Sequence, residues 1–553
     1  MNVRNACVAL VLAASQAAAL RPGGHPWLTF GEIPVTPGDE SENTPPITST
    51  NSKIKAYNLS VPIDHFHNET KYEPHSGGFY NLRYWLDTSY YKEGGPVIIL
   101  HSGEFDSDGR LPYLEHGIVP VLTKATGGVG IVLEHRYYGT SWPTNETTPA
   151  SYRFLTTDQA LADTAYFSKT IKIPGLEHLN LTAPGTPHIL YGGSYAGGFV
   201  ALARKLYPDV FWGAISSSGV TAAIDDFWQY FEAARHFSPG DCSPTLQNLT
   251  DIVDKQLLSG DKKKENGIKS LFGLQDLWND EFASVLVSGL LALQSTNWDP
   301  EEDTTAFGTF CAVISSDSVL FSSTSHLQHR VRSAVQAAGY GAEPLTSRML
   351  NYIGFIRDFV KKEKKQGSCK GKKNLRECLS PRLQKNDERH NWQRSWTWQT
   401  CTEWGYFLSG ESTPKDRLPM VSRALTAEFS SYDCKASFNI TTRPDVDIIN
   451  KHGGFNFSYP RLALIDGKQD PWRCAGSHAI GLPGRESTTS EPFELIDWGV
   501  HHWDEFGLSD DAEREPGLPP KQVVDIQQKE VQIVKDWLKE FEGGKGVHED
   551  VEL

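Results

Sequence analysis

No CxxC pair occurs anywhere in the chain, and no lysine follows its glycine-rich turn at residues 192–198. The first absence argues against a cysteine-held zinc site, and the second against a phosphate-cradling P-loop. A basic surplus is missing too: 53 Lys and Arg stand against 68 Asp and Glu, a formal net charge of −15. A nucleic-acid binder needs a basic surface to displace counterions, so that class is set aside. Beyond the first twenty residues, no stretch approaches the ~18 uninterrupted apolar residues of a spanning helix. No internal repeat is visible.

What is present is a folding composition. Of 553 residues, 39% are hydrophobic, 22% charged and 11% aromatic, the profile of a globular chain rather than a disordered or fibrous one. The length suits either two to four units of ~150 residues or one enlarged α/β domain carrying a large insertion.

The opening is an address. Met1 to Asn5 carries one positive charge at Arg4. An apolar run from Ala6 to Leu20 follows, interrupted only by Ser15 and Gln16, with small residues at Ala17, Ala18 and Ala19. This predicts a secretory signal peptide over residues 1–19. Its removal takes Cys7 with it and leaves Cys242, Cys311, Cys369, Cys378, Cys401, Cys434 and Cys474. Most should pair in an oxidising compartment, and the odd count leaves at least one thiol without an intrachain partner. Asn-x-Ser/Thr sequons at Asn58, Asn68, Asn145, Asn180, Asn248, Asn439 and Asn456 independently predict a glycosylated, secreted surface. The compartment is therefore extracellular, or a vacuolar or lysosomal lumen.

Residues 20–55, rich in Pro, Gly, Ser and Thr, read as an extended arm. From 56 to 222, short apolar runs at 96–100, 129–133, 188–191 and 213–216 alternate with helical stretches at 159–169 and 195–207. Strands without polar alternation are what a parallel sheet buried on both faces requires. Residues 223–435 carry helical periodicity, most of the cysteines and a basic loop at 361–373, and read as a mostly helical cap. The α/β pattern resumes over 436–553, with strands at 461–466 and 493–496. A closing helix at 521–541 shows an apolar stripe of Val524, Val531, Val534, Trp537, Leu538 and Phe541. The expected fold class is α/β, an interrupted parallel-sheet core with a helical cap.

Gly192-Gly193-Ser194-Tyr195-Ala196-Gly197 follows a strand and opens a helix. That context makes a Gly-x-Ser-x-Gly-like match a nucleophile elbow. The turn is too tight for bulky side chains two residues either side of the serine. Gly192 meets the demand, and Ala196 relaxes it by one methyl. The Ser194 hydroxyl would rise at the sheet's C-terminal edge, with the Tyr195 N–H facing an oxyanion hole. A second donor is expected from the loop 101–104, at Gly103. Serine becomes a nucleophile when a neutral imidazole takes its proton and a buried carboxylate holds that imidazole. The partners should follow as acid, then histidine. Asp466 and Asp470 sit just past one predicted strand, His501 and His502 just past the next; spacing alone leaves both pairs open.

With these residues in place, the chain resembles the proline-specific serine peptidases typified by lysosomal Pro-X carboxypeptidase and dipeptidyl peptidase II, a family that includes fungal secreted prolyl endopeptidases. The resemblance runs from about residue 57 to the end. It is carried by Val61-Pro62-Ile63-Asp64-His65-Phe66, Phe79-Tyr80-Asn81-Leu82-Arg83-Tyr84, Gly95-Pro96-Val97 with Gly103-Glu104, and Glu134-His135-Arg136-Tyr137-Tyr138-Gly139. The elbow, Gln399-Thr400-Cys401-Thr402-Glu403, Asp470-Pro471-Trp472 and His501-His502 complete it. The resemblance implies an α/β-hydrolase core with a helical cap, Asp470 as the acid, His501 as the base, and cleavage after proline. It departs after the histidine pair: Trp503-Asp504-Glu505-Phe506 stands where lysosomal relatives have Leu-Asp-Leu-Arg.

A compact, apolar proline with no N–H suits an aromatic wall. Trp472, two residues from the acid, is a candidate for it. Glu104 and Glu403 are candidates for reading a free amine. The His65-Phe66-His67 segment puts two histidines on one face of a strand with no identifiable third ligand, so it is read as surface or core packing rather than metal. No cofactor and no metal are expected. The partners are proline-containing peptides, with no nucleic acid and no membrane span, and the chain is a candidate homodimer. The function read from the sequence is a secreted serine peptidase acting after proline, as carboxypeptidase, dipeptidyl peptidase or endopeptidase. An esterase or lipase on the same fold and a non-catalytic binding protein are the alternatives.

Overall fold

Short apolar runs become the centre of a sheet. In the computed structural model, residues 54–299, 305–366, 369–383, 391–509 and 516–549 are described. The expected signal peptide (1–19) and the arm up to residue 53 lie outside them. Among the described residues ten strands occur: β1 (Lys55–Pro62), β2 (Phe79–Asp87), β3 (Val97–His101), β4 (Val129–Leu133), β5 (His188–Gly193), β6 (Phe211–Ser217), β7 (Ile224–Asp226), β8 (Gly405–Phe407), β9 (Leu462–Gly467) and β10 (Phe493–Ile496). Eight form one sheet in the order β1-β2-β4-β3-β5-β6-β9-β10. β1 and β2 pair antiparallel, β2 runs antiparallel to β4, and β3, β4, β5, β6, β9 and β10 are parallel throughout. This is the α/β-hydrolase sheet.

The parallel strands are apolar on both sides because both faces are covered. Ile99, Val129, Ile131 and Leu190 point into one core cluster, while Ile98, Leu100, Val132 and Ile189 point into another on the opposite face. The main helices are α1 (Ile118–Thr126), α2 (Thr157–Thr170), α3 (Tyr195–Leu206), α4 (Cys242–Leu257), α5 (Leu345–Gln366) and α6 (Lys521–Glu549). α6 buries Val523, Ile526, Glu530, Ile533, Val534 and Trp537, an i, i+3/i+4, i+7 face. Val524, Val531 and Leu538 of the expected stripe sit half-buried on its flank. Gly213 of β6 admits the Trp537 ring, since a Cβ there would lie 2.6 Å from it.

β1 and β2 alternate exposed and buried residues as an edge hairpin does, so the signal for them was present in their period of two. Between β6 and β9 the regular elements of the described residues are all helices, except for a small parallel ribbon of β7 and β8. Strands of three residues have too few positions to show a period, which is why the sequence does not announce them.

Three disulfides, Cys242–Cys311, Cys369–Cys378 and Cys401–Cys434, lie in this helical region. Cys474 is unpaired and buried, and burial pushes its thiol up to about 12, leaving it protonated and inert. Six sequon asparagines are exposed, and Asn248, on α4, is half-buried. Among the described residues no helix is long and apolar enough to cross a membrane.

Candidate active site

The parallel strands deliver their C-terminal ends to one edge, where a ligand meets open-sheet proteins. β5 ends at Gly193, and Ser194 follows with φ 58° and ψ −125°. Such a backbone is strained for a residue with a Cβ and persists only where its surroundings enforce it. Here they do. The Ser194 N–H donates to Ser217 O of β6 at 2.9 Å, and Ser194 O accepts from Gly198 N (3.2 Å) and Val220 N (3.3 Å). A Cβ on Gly192 would lie 2.4 Å from Ala196 O, and one on Gly198 would lie 2.1 Å from Val220 O. The extra methyl of Ala196 fits because Gly103 and Gly192 flank it without side chains.

Tyr195 is the first residue of α3, so its N–H is one of the helix's orphan donors at the turn. Its side chain points elsewhere: the hydroxyl accepts from Gln399 Nε2 at 2.6 Å and lies 3.1 Å from His135 Nε2. Gly103 has φ +68°, and its N–H is directed at His101 Nδ1, 3.2 Å away. Burial holds His101 well below the usual imidazole range, so this ring is neutral.

Two aspartates and two histidines were open on spacing, and geometry separates them. His501 Nδ1 lies 2.8 Å from Asp470 Oδ2. Asp470 is fully buried, and its Oδ1 accepts the Trp472 N–H at 2.8 Å. Asp466 instead lies 2.5 Å from His478 Nδ1. His502 Nδ1 lies 3.0 Å from Glu505 Oε2, and its backbone N–H donates to Ser218 Oγ at 2.9 Å. Phe506 therefore takes the arginine's place in the run and stacks on the His502 ring, centroids 5.5 Å apart, while the charged partner of His502 is Glu505, one residue earlier. Gly193 lets that carboxylate close in, since a Cβ there would be 2.6 Å from Glu505 Oε1. Ser218, His478 and Glu505 have no sequence signal that marks them; they are recruited by the path of the loops.

The Trp472 indole donates to Gln294 Oε1 at 2.7 Å. Its ring centroid lies 5.3 Å from Tyr406, 5.4 Å from Tyr230, 5.6 Å from Phe227 and 6.4 Å from His501. Glu104 is buried, and its Oε2 has no hydrogen-bond partner among the described residues. Burial pushes its carboxyl up to about 7. Glu403 accepts from the Thr157 N–H (2.9 Å) and hydroxyl (2.7 Å), so it secures the start of α2. The Glu134-His135-Arg136 block is internal as well. Glu134 accepts from Arg83, Ser107 and Ser141, and Arg136 grips Asp163 with two nitrogens at 2.5 and 2.6 Å.

Behind the histidine pair lies a carboxyl cluster. Asp504 accepts from Tyr191 (2.6 Å) and Ser217 (2.7 Å), and Tyr191 OH is also 3.2 Å from Glu530 Oε1. No Lys or Arg pairs with either acid among the described residues. Burial raises Asp504 to about 6 and, with the Asp504 charge beside it, lifts Glu530 well above the ordinary carboxyl range. The folded state thus holds protons that the unfolded chain releases near pH 4. Stability from this pair is full below that pH and is lost as pH rises through about 6 and beyond. Glu530→Gln is expected to raise the melting temperature more at pH 7 than at pH 4, read by differential scanning fluorimetry at both.

Comparison with known proteins bears on this site. The family profile described as Serine carboxypeptidase S28 matches residues 61–277 and 329–514. The chain is 45% identical to a protein of Arthroderma benhamiae described as a probable extracellular serine carboxypeptidase, across 97% of this chain and 74% of the other. It is 30% identical to the serine protease vicPa of Bipolaris victoriae, across 77% and 80%. It is 24% identical to the thymus-specific serine protease of Homo sapiens, across 76% of each.

Proposed function

The chain belongs to the serine carboxypeptidase S28 family, a family of serine peptidases, and on that premise we propose that it cleaves peptides on the carboxyl side of proline with Ser194, His501 and Asp470. The observation that carries the reading is the 2.8 Å contact between His501 Nδ1 and buried Asp470, both at strand ends on the edge that bears the Ser194 elbow. The protein is secreted or lumenal. Three disulfides fit an oxidising compartment, and the Arthroderma relative is described as extracellular.

In this mechanism Ser194 Oγ attacks the proline carbonyl carbon while its proton passes to His501 Nε2. Asp470 holds Nδ1–H and stabilises the imidazolium. The oxyanion is met by the Tyr195 N–H. The imidazolium protonates the leaving nitrogen as the C–N bond breaks, giving an acyl-enzyme. Water, deprotonated by His501, then attacks the ester and releases a product ending in proline. The ring of Trp472, with Tyr406, Tyr230 and Phe227, forms an aromatic wall beside His501 that suits a pyrrolidine.

The family description and the Arthroderma relative favour release of a C-terminal residue. A second reading, removal of an N-terminal dipeptide, is favoured by Glu104, a buried carboxyl with an unpartnered oxygen near the elbow that suits a free amine. Mass spectrometry of products from a proline-containing peptide, with each terminus free or blocked, separates them. Cleavage abolished by C-terminal amidation supports the carboxypeptidase mode. Cleavage abolished by N-acetylation supports the dipeptidyl mode. Cleavage that ignores proline overturns the specificity.

A further inference from the structure

The two histidines flanking Phe66 do not share one strand face. β1 ends at Pro62, and the chain turns through a loop to β2 at Phe79. In that loop His65 faces inward to Asp163, 2.8 Å away, while His67 faces outward. The third ligand that the sequence did not reveal is next to them in space. Asp64 and His75, eleven residues apart, approach to 2.8 Å between Oδ2 and Nδ1. His67 Nδ1 lies 4.0 Å from the same Oδ2.

We propose that Asp64, His67 and His75 form a binding site for a divalent zinc-class cation. The three donor atoms, one from each residue, lie within 4.8 Å of one another. A zinc ion bound tetrahedrally at about 2.0–2.1 Å needs its ligand atoms about 3.3 Å apart. The observed 2.8 and 4.0 Å bracket that value, so small rotations of two partly exposed rings close the site.

The carboxylate is already prepared. Asp64 is buried, and its Oδ1 accepts from the Phe66 N–H (2.9 Å) and from Gln159 Nε2 (2.8 Å). These bonds fix the group and leave Oδ2 for the two imidazoles, the supporting shell that orients a metal-binding carboxylate. The His67 side chain is 58% exposed and that of His75 26%, so a cation has a path in and room for a water as fourth ligand. Two imidazoles and one carboxylate suit Zn²⁺ better than Ca²⁺ or Mg²⁺, which take oxygen ligands. A bound ion would clamp the two ends of the loop between β1 and β2 and, through Gln159, tie it to α2. None of the three ligands belongs to the Ser194, Asp470 and His501 constellation.

The test is isothermal titration of ZnCl₂ into chelator-stripped, full-length protein, with His67→Gln and His75→Gln alongside. Wild type is expected to bind one equivalent and to gain thermal stability with zinc. Each variant is expected to lose affinity by about tenfold or more and to lose the thermal gain, with peptidase turnover unchanged as evidence of correct folding. Failure of wild type to bind, or equal affinity in wild type and both variants, overturns the site.

Discussion

Ser194→Ala is expected to abolish labelling by an active-site-directed fluorophosphonate and to lower kcat by about 10⁴- to 10⁶-fold, the range seen when a triad nucleophile is removed. The variant should fold normally. Alanine keeps the Cβ, so it meets the same backbone strain at φ 58°. The bonds that hold the elbow, from Ser194 N to Ser217 O and from Gly198 N and Val220 N to Ser194 O, are all main-chain. An unchanged melting temperature with no labelling would isolate the missing hydroxyl as the cause. Equal labelling of variant and wild type would remove Ser194 from the mechanism.

The second large effect is expected from Asp470→Asn, about 10⁴-fold in kcat. The amide can still accept the Trp472 N–H through its oxygen. Its NH₂ then faces His501 Nδ1, where Oδ2 now lies 2.8 Å away, and turns that nitrogen into an acceptor. The proton moves to Nε2, the atom that must take the serine proton, so the base is in the wrong tautomer although the ring has not moved. Asp466→Asn is the control. Asp466 is paired with His478 and not with His501, so this variant should keep its fluorophosphonate labelling. If Asp466→Asn lost activity and labelling while Asp470→Asn kept both, the assignment of the acid would be reversed.

Much of the architecture is legible in the sequence. The runs at 129–133 and 493–496 match β4 and β10 residue for residue. Residues 188–191 and 213–216 fall within β5 and β6. A strand covered on both faces has only apolar side chains to show, so its signature is local. The glycines around Ser194 are also local, because the clash they avoid is with residues a few positions away, as Gly192 shows against Ala196. By contrast, the β1–β2 pair is marked only by its alternation of exposed and buried residues, and the β7–β8 ribbon is too short to mark itself.

By itself the sequence determined the periodicities, the elbow, the acid-then-histidine order, and an odd cysteine count. It also supplied enough motifs to point to the family that the profile match bears out. Spacing did not determine which aspartate meets which histidine, although the resemblance implied Asp470 and His501. Both candidates lie at strand ends, and the choice rests on how the 468–500 segment folds back over the sheet edge. The same holds for Glu505 beneath His502, for the unpaired state of Cys474, and for the meeting of Asp64 with His75. Each of these is a contact between residues whose side chains give no local preference for one another. Loop paths and the packing of the sheet against α6 bring them together, and only the tertiary structure decides them.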